Sequence, residues 1–257
     1  IQHRGQESAG ISVFDGDSVE TLKGNGLVNV ALPKDAVRNI AGHVGVGHVR
    51  YSTTGSKGAI NAQPFTVMTN FGTVAVAHNG DITNYSELKE KYMKEGWTFL
   101  TDSDSELVTK LLGKYMTQYN DPVKSIRATM GELDGAYALT ILIDGRLFAI
   151  RDPYGFRPLC LGKLDGGYIA VSESAAIDAL HGDFVRDIEP GEICEITKDT
   201  FKIYPAVAQH PKAYCMFEWV YFARPDSVMD GREVYDVRRR IGMILARECP
   251  ADVDLVM

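Results

Sequence analysis

The stretch TVAVAHNGDITNY, residues 73 to 85, contains both a pattern that predicts the fold and residues that indicate the chemistry. Val74 to Ala77 are small and apolar, as in a strand buried on both faces, and they run directly into His78, Asn79 and Gly80. Two interpretations of this polar trio are open. Asn-Gly after an extended run is a strong signal for a tight hairpin turn. Alternatively, the Asn side-chain amide and an unobstructed glycine N–H form a donor pair that stabilises a developing oxyanion.

A second buried strand leads to a charged residue. Val44 to Val49 predict a strand that delivers Arg50 into a Ser/Thr/Gly loop. Taken alone, Arg50 is better interpreted as a surface or structural arginine. If the two strands are neighbours in one sheet, however, a guanidinium that grips carboxylates in a bidentate manner opens beside the donor pair.

Asp104 adds a carboxylate at the start of a predicted helix, in the stretch TDSDSELV. The spacing of Ser103 and Glu106 fits a capping box, which is an ordinary way to begin a helix. A carboxylate near Arg50 can also bind an ammonium group. The three groups together describe a site for a free amino acid whose side-chain carbonyl is attacked.

The sequence supplies no obvious nucleophile for such an attack. It has no G-x-S-x-G elbow. Cys160 and Cys194 lie in apolar strand patterns that predict inert core thiols. The histidines at positions 43, 48 and 78 have irregular spacing, which disfavours a metal cluster.

The order of elements predicts an α+β fold. Strands fall in two blocks with helices between and after them, as in antiparallel sheets covered by helices. Asp144-Gly145, between two apolar runs, predicts a hairpin. The sequence pattern changes near Pro211, so we expect one domain over residues 1–210 and the beginning of a second domain over residues 211–257. The second part contains a basic helix and the start of an apolar strand.

Composition excludes several classes of protein. A net charge of −7 argues against binding to a nucleic-acid backbone, which favours a basic surface. No apolar run approaches the roughly 18 residues of a membrane span. The four cysteines are far apart and form no C-x-x-C pair, which disfavours a zinc cage or a disulfide scaffold. We therefore expect a cytoplasmic location without nucleic-acid or membrane partners.

Motifs along nearly the whole chain resemble the amidophosphoribosyltransferases, glutamine-dependent enzymes that open purine biosynthesis. In chain order they are QHRGQESAGI (2–11), GHVRYSTTG (47–55), NAQPF (61–65), AHNGDITN (77–84), SDSE (103–106), RDPYGFRPL (151–159), SES (172–174) and FEWVYFARPDS (217–227). The related glucosamine-6-phosphate synthases read R-G-Y-D-S where this chain has Arg4 to Ser8, and they lack the last phrase. The resemblance is therefore to this one branch of the class II glutamine amidotransferases.

The resemblance implies an N-terminal-nucleophile hydrolase fold, an αββα sandwich of two antiparallel sheets, followed by the start of an α/β phosphoribosyltransferase domain. In the family, an N-terminal Cys is the nucleophile and its own α-amino group is the base. Arg50 matches the residue that binds the α-carboxylate of glutamine, on a loop that closes over the site. Asn79 and Gly80 match the oxyanion hole, and Asp104 matches the carboxylate that holds the α-amino group.

The resemblance also implies partners and cofactors. The substrates are glutamine and PRPP, and ammonia passes from the first to the second to give 5-phosphoribosylamine. No cofactor is expected in the glutaminase half, Mg²⁺ is expected in the phosphoribosyltransferase half, and the complete protein is expected to form a homodimer or homotetramer. Cys215 matches one ligand of a 4Fe–4S cluster in some members, and a buried thiol is the alternative for this residue.

One departure from the family pattern limits the expectation. The Cys-Gly-apolar segment that precedes L-Q-H-R-G-Q-E-S in the family is not in this chain, which begins at Ile1 inside that phrase. We therefore predict that the chain is a fragment that hydrolyses no glutamine, lacking the nucleophile and most of the phosphoribosyltransferase domain. The alternative is a non-catalytic, glutamine-binding regulatory domain, which the retention of Arg50, Asn79, Gly80 and Asp104 disfavours.

Overall fold

The structure is a computed structural model that describes residues 1–51, 58–208 and 210–255. The Ser/Thr/Gly loop that sequence predicts to close over the site falls at residues 52–57, outside the described residues. An apolar strand was predicted to begin near Val253, but residues 253–255 form no strand. Residues 256 and 257 lie outside the described residues.

Antiparallel strands and seven α-helices make up the described chain. The strands are β1 (Ser8–Phe14), β2 (Val19–Asn25), β3 (Val44–Arg50), β4 (Phe65–Thr69), β5 (Gly72–Ile82), β6 (Gly135–Ile143), β7 (Arg146–Arg151), β8 (Cys160–Leu164), β9 (Gly167–Val171), β10 (Asp183–Asp187), β11 (Ile193–Ile196), β12 (Phe201–Tyr204), β13 (Val228–Met229) and β14 (Arg232–Glu233). The helices are α1 (Val28–Ala31), α2 (Lys34–Asn39), α3 (Tyr85–Lys94), α4 (Asp104–Tyr119), α5 (Pro122–Glu132), α6 (Ala175–Asp178) and α7 (Val234–Glu248). Short 3₁₀ turns at Gln2–Arg4 and Ala59–Asn61 and a π-helical turn at Glu218–Phe222 complete the described elements.

The sheets form the two inner layers of a four-layered sandwich. One layer is a six-stranded sheet with the order β12-β11-β7-β6-β5-β4. The other layer consists of two three-stranded sheets, β2-β1-β3 and β10-β8-β9. Helices α3, α4 and α5 cover the outer face of the large sheet, whereas α1 and α6 lie against the small sheets. The predicted α+β sandwich is confirmed, with its second layer divided in two.

The two faces of the large sheet carry side chains of different size. The helix-covered face is filled by large residues, among them Val74, Val76, Tyr137, Leu139, Ile141 and Phe148. The inner face carries small ones, among them Ala75, Ala77, Ala138, Thr140 and Ala149. Because successive side chains in a strand point to opposite faces, this alternation is written directly in the sequences of β5 and β6.

The hairpin interpretation of Asn79-Gly80 was wrong, because the strand does not stop at the polar trio. β5 continues to Ile82, and its ladder with β6 pairs Asn79 with Ala138 and Gly80 with Tyr137. Gly80 has φ +155°, and a Cβ placed there lies 1.9 Å from the carbonyl oxygen of Ala136. Glycine is therefore required here by the close approach of β6, and not by a turn.

The strands that lead to Arg50 and Asn79 do not neighbour each other in one sheet, which was the condition under which the sequence brought the two residues together. β5 has β4 on one edge and β6 on the other, so it has no edge at which β3 can pair. β3 pairs with β1 instead, and Val46 packs face to face against Ala75 of the large sheet. The two strands therefore approach each other across the sandwich.

Two other features of the fold bear on the sequence expectations. The β6–β7 hairpin is confirmed, and its two turn residues, Asp144 and Gly145, have φ of 47° and 67°. Among the helices of the described part of the chain, none has the length and apolar character needed to cross a membrane.

Candidate active site

A cavity of about 780 Å³ lies between the two sheet layers. Every residue of β3 and every residue of β9 lines it, and Ala77, Asn79, Ala138 and Thr140 form part of its floor. β3 and β9 are each the last strand of their small sheet, so the cavity is a slot between two strand edges. Its floor is wide because the large sheet presents alanines and a threonine there.

Asn79 brings an unpartnered donor to this slot. Its Nδ2 atom is buried and has no hydrogen-bond partner among the described residues. The backbone just before it is fixed, because the Gln63 side chain accepts from the His78 N–H (2.6 Å) and donates to the His78 carbonyl (3.1 Å). A buried donor without a partner is costly, which indicates that something else is meant to accept from it.

Arg50, the last residue of β3, lines the same cavity although only 6% of its surface is exposed. Its Nη1 atom lies 3.8 Å from Oε1 of Glu7, whose own N–H donates to the Arg50 carbonyl (3.1 Å). The guanidinium is thus held at the mouth of the strand by the QHRGQES segment. The structure places Arg50 and Asn79 on opposite walls of one cavity.

Asp104 is the first residue of α4 and also lines the cavity. Its Oδ2 accepts from the Ile82 N–H (3.1 Å), and its Oδ1 accepts from the Ser105 hydroxyl (3.3 Å). Burial by itself raises the pKa of this carboxyl, but the charge and hydrogen bond of His78, together with these donors, lower its pKa below the usual value. The carboxylate therefore stays charged while tying the start of α4 to the end of β5.

The capping box predicted for α4 is only half formed. The Ser103 hydroxyl accepts from the Ser105 N–H (3.3 Å), as an N-cap does. Glu106 does not reach back to Ser103; it accepts from the N–H groups of Leu100 (2.9 Å) and Thr101 (2.7 Å). Glu106 thus fixes the loop before the helix, which aims Asp104 at the cavity.

Three histidines line the cavity, His43, His48 and His78. The His78 Nδ1 atom lies 3.1 Å from the Ser105 Oγ and 3.6 Å from the Asp104 Oδ1. Burial and the nearby His78 lower the pKa of His48 to about 3, so its ring is neutral near pH 7. Within residues 1–51, 58–208 and 210–255, no group of three or more metal-ligating side chains comes together.

The four cysteines of the chain all lie in its described part, and none of them lines the cavity. Burial raises the pKa of Cys160 far above its usual value and that of Cys194 to about 12, so both are inert core thiols, as predicted. Cys215 is half-buried, with its Sγ 3.9 Å from the Arg157 Nη1. Cys215 is in no group of three or more metal-ligating side chains in the described residues, so those residues do not by themselves fit a 4Fe–4S cluster.

The cavity brings together a guanidinium, a carboxylate and an amide donor, which is the set that a free amino acid with an amide side chain needs. Sequence reasoning found these three but assigned no role to Gln63, which fixes the donor strand, or to Ser105, which contacts the carboxylate. It also missed Arg4, Arg157 and Glu218 on the cavity wall. Ser105 lies within the patterns that indicated the site. The other four residues lie outside those patterns, and only the three-dimensional arrangement shows their roles.

Comparisons with known proteins agree with this site. A family model described as "Glutamine amidotransferase domain" matches residues 48–179. The amidophosphoribosyltransferase of Archaeoglobus fulgidus is 44% identical over 256 residues, covering 100% of this chain and 56% of that relative. The human amidophosphoribosyltransferase is 41% identical over 282 aligned positions, covering 100% of this chain and 54% of the relative.

A solved structure is similar over almost the same length. The glutamine PRPP amidotransferase from B. subtilis, in complex with ADP and GMP, superposes with a TM-score of 0.90 at 33% identity, covering 98% of this chain and 55% of that one. This likeness supports the predicted N-terminal-nucleophile hydrolase fold. The chain spans about half the length of the relatives it matches.

Proposed function

The chain belongs to the glutamine amidotransferase domain family, and we propose on that premise that it is the glutamine-hydrolysing part of an amidophosphoribosyltransferase. The observation that carries the proposal is the buried Asn79 amide without a partner, in one cavity with Arg50 and Asp104. The regulatory alternative predicted from sequence needs only binding. A bound glutamine carbonyl would accept from Asn79 in that case as well, so the labelling experiment below separates the two functions.

We assign glutamine to the cavity in one orientation. Its α-carboxylate pairs with the Arg50 guanidinium, and its α-ammonium pairs with the charged Asp104 carboxylate. The side-chain amide then lies toward β5, where the Asn79 Nδ2 and the Gly80 N–H donate hydrogen bonds to its oxygen as negative charge grows there. Because Arg50 and Asp104 bind a free α-carboxylate and a free α-ammonium, the site selects a free amino acid over a residue within a peptide, in which both groups are blocked.

The nucleophile in this proposal is a cysteine on a segment that precedes Ile1. Ile1 itself lines the cavity, so the chain approaches the slot from that side. The slot lies between two open strand edges, and an extended segment seated there pairs with β3 and β9 as one more strand. Such a strand fills the widest part of the cavity and joins the two small sheets into one layer.

The chemistry needs no metal. The cysteine α-amino group takes the thiol proton, and the thiolate attacks the amide carbon of glutamine. The tetrahedral oxyanion is stabilised by Asn79 and Gly80 until the C–N bond breaks, the amine leaves with a proton as ammonia, and a thioester remains. Water then attacks the thioester, with the same amino group as the base, and releases glutamate.

The activity of the whole protein is part of the proposal. Ammonia replaces pyrophosphate at C1 of PRPP to give 5-phosphoribosylamine, in a domain that begins near Pro211 and that uses Mg²⁺. We expect a cytoplasmic homo-oligomer for the complete protein. A 4Fe–4S cluster with Cys215 as one ligand remains a prediction from the resemblance, and no step depends on it.

Labelling with an electrophilic glutamine analogue tests the nucleophile. The complete natural protein and the chain of residues 1–257 are each treated with the reagent, and the labelled peptides are mapped by mass spectrometry. We expect one label on a cysteine before Ile1 in the complete protein and none on the shorter chain. We also expect glutamate release from the complete protein alone.

Two other outcomes decide against parts of the proposal. A label on Cys160 or Cys194 would show that a core thiol is the nucleophile and that the burial argument is wrong. A complete protein that takes no label and releases no glutamate, yet binds glutamine in calorimetry, would instead establish the regulatory alternative.

A further inference from the structure

Four charged side chains form a buried network beside the cavity, which we call the junction cluster: Arg4, Arg157, Glu173 and Glu218. The Arg4 Nη2 atom donates to both carboxylate oxygens of Glu218, each at 2.8 Å, and its Nη1 donates to Glu173. The Arg157 Nη1 donates to Glu218 at 2.9 Å. The side chains of Glu173 and Glu218 are 0% and 2% exposed, so both charges depend on these partners.

The junction cluster joins parts of the chain that are far apart in sequence. Arg4 lies in the first turn, Glu173 lies between β9 and α6, and Glu218 begins the π-helical turn. Glu173 also accepts from the Arg224 N–H (2.9 Å) and the Ser227 hydroxyl (2.8 Å). The segment from residue 218 to 227 is therefore tied to the sandwich through two carboxylates that share Arg4.

This network is also part of the cavity wall. Arg4, Arg157, Glu218 and Phe222 line the same cavity as Asn79. Burial raises the pKa of Glu173, but the charge of Arg4 and hydrogen bonds from Arg224, Arg4 and His3 outweigh it and lower that pKa to about 2. The carboxylate is thus ionised at working pH, and removal of Arg4 takes away the cation that stabilises this buried charge most.

We propose that Arg4 is a positioning residue for nitrogen transfer, which acts through Glu218 to hold Glu218–Phe222 as the wall where ammonia leaves the glutamine cavity. This inference rests on the proposed function. Of the residues that line the cavity, Glu218 and Phe222 are the ones contributed by the region after residue 210, where the second reaction is placed. If that wall moves, ammonia escapes into water and becomes ammonium before it reaches PRPP.

A second network supplies a matched control. Arg151 pairs with Asp230 (3.0 Å), and Lys212 pairs with the same carboxylate (3.0 Å). This network also ties the region after residue 210 to the sandwich, and its Arg151 is only 2% exposed. None of its three residues lines the cavity. It therefore separates loss of attachment from loss of the wall.

The test compares Arg4→Met, Arg4→Lys, Glu218→Gln and Asp230→Asn in the complete protein. Glutamate and 5-phosphoribosylamine are quantified with glutamine as the nitrogen source, and 5-phosphoribosylamine is quantified again with ammonium chloride. For Arg4→Met and Glu218→Gln we expect at least about a fivefold rise in glutamate formed per phosphoribosylamine, because small displacements at reacting sites have large effects. The ammonia-dependent rate stays within about twofold, because that reaction does not use the wall.

The controls give the opposite pattern. Asp230→Asn lowers the melting temperature but leaves the product ratio unchanged, and Arg4→Lys restores part of the coupling because it keeps the charge. An unchanged ratio in Glu218→Gln, or an equal rise in Asp230→Asn, would show that the junction cluster is only structural. Glu218→Gln carries the test if Arg4→Met fails to fold.

The wild-type protein separates this inference from the proposed function. If it forms no glutamate from glutamine, or no phosphoribosylamine from either nitrogen source, the proposed function is wrong and this inference falls with it. If it couples the two products and the variants couple them equally well, the role given to Arg4 alone is wrong.

Discussion

The two faces of strand β6 carry side chains of different size and have different roles. Tyr137, Leu139 and Ile141 point to the helices and are at most 2% exposed, whereas Ala138 and Thr140 point to the cavity. One face is filled with large side chains and the other is kept open by small ones. The comparison teaches that alternation by size, rather than by polarity, divides this sheet into a core and a binding floor.

The sharpest contrast lies on β5, where the cavity face ends in Asn79. We expect Asn79→Ala in the complete protein to lower kcat for glutamine hydrolysis by about 10² to 10³-fold, since one oxyanion donor is lost. The melting temperature should change little, because the Nδ2 atom has no partner to lose. Steady-state kinetics and thermal unfolding of the same preparation measure both.

Asn84→Ala is the matched control on the helix side. The Asn84 amide donates to the Glu132 carbonyl (2.9 Å) and accepts from the Asp134 N–H (3.0 Å), so its loss affects the fold and not the cavity. We expect it to cost about 1 kcal/mol of stability with kcat unchanged. Equal kcat losses in the two variants would contradict the division between the faces.

Leu139→Ala tests the helix-covered face. Leu139 is 1% exposed in the main core, and its truncation leaves a cavity there, so we expect a loss of about 2–5 kcal/mol in the free energy of unfolding. Once folded, the protein should retain its kcat. Denaturant titration at 25 °C, together with kinetics below the transition, measures the two effects.

The next residue on the strand, Thr140, is the control for that experiment. Thr140→Val changes a side chain at the cavity floor, and we expect it to alter stability by no more than about 0.5 kcal/mol. If Thr140→Val destabilises as much as Leu139→Ala, the cavity is filled in solution by tightly packed groups. In that case the inner face is a second core and not a floor.

The sequence predicted the layers and the site because both rest on local patterns. The apolar strand patterns of β5 and β6, the Asp144-Gly145 turn and the helix start at Asp104 each depend on a few adjacent residues. The errors concern pairing between distant segments. That β6 continues beside Asn79 and Gly80, and that β3 pairs with β1 rather than β5, depends on partners that lie 30 to 60 residues away.

The junction cluster is a second example of contacts between distant segments that the sequence could not predict. The sequence presents Arg4, Glu173 and Glu218 in three separate motifs, and none of these motifs has a spacing that predicts contact. Each charge alone is ordinary at a protein surface. Their burial, which makes the pairing obligatory, is a property of the assembled sandwich.

A smaller effect than that of Leu139→Ala is predicted for the acid stability of the helical layer. Two tyrosines and a lysine surround the Glu132 carboxylate: Tyr92 donates at 2.6 Å, Lys91 pairs at 2.9 Å, and the Tyr115 hydroxyl also donates. Burial raises the pKa of Glu132, but these donors outweigh it and lower the pKa from its ordinary value of 4.5 to about 2. A lowered pKa means that folding is favoured by the charged form.

The sign and the pH window follow from that shift. The contribution is fully present above pH 4.5 and is lost as the pH falls from there toward 2. Because the group is partly open to solvent, we expect about 1 kcal/mol rather than the full value of the shift. The free energy of unfolding of the wild type should therefore fall more steeply between pH 5 and 3 than that of Glu132→Gln, with kcat at pH 7 equal in both. Parallel slopes would mean that the charged carboxylate is no more stabilised in the folded protein than in the unfolded chain. A difference in kcat would mean that the helical layer is not energetically separate from the cavity face.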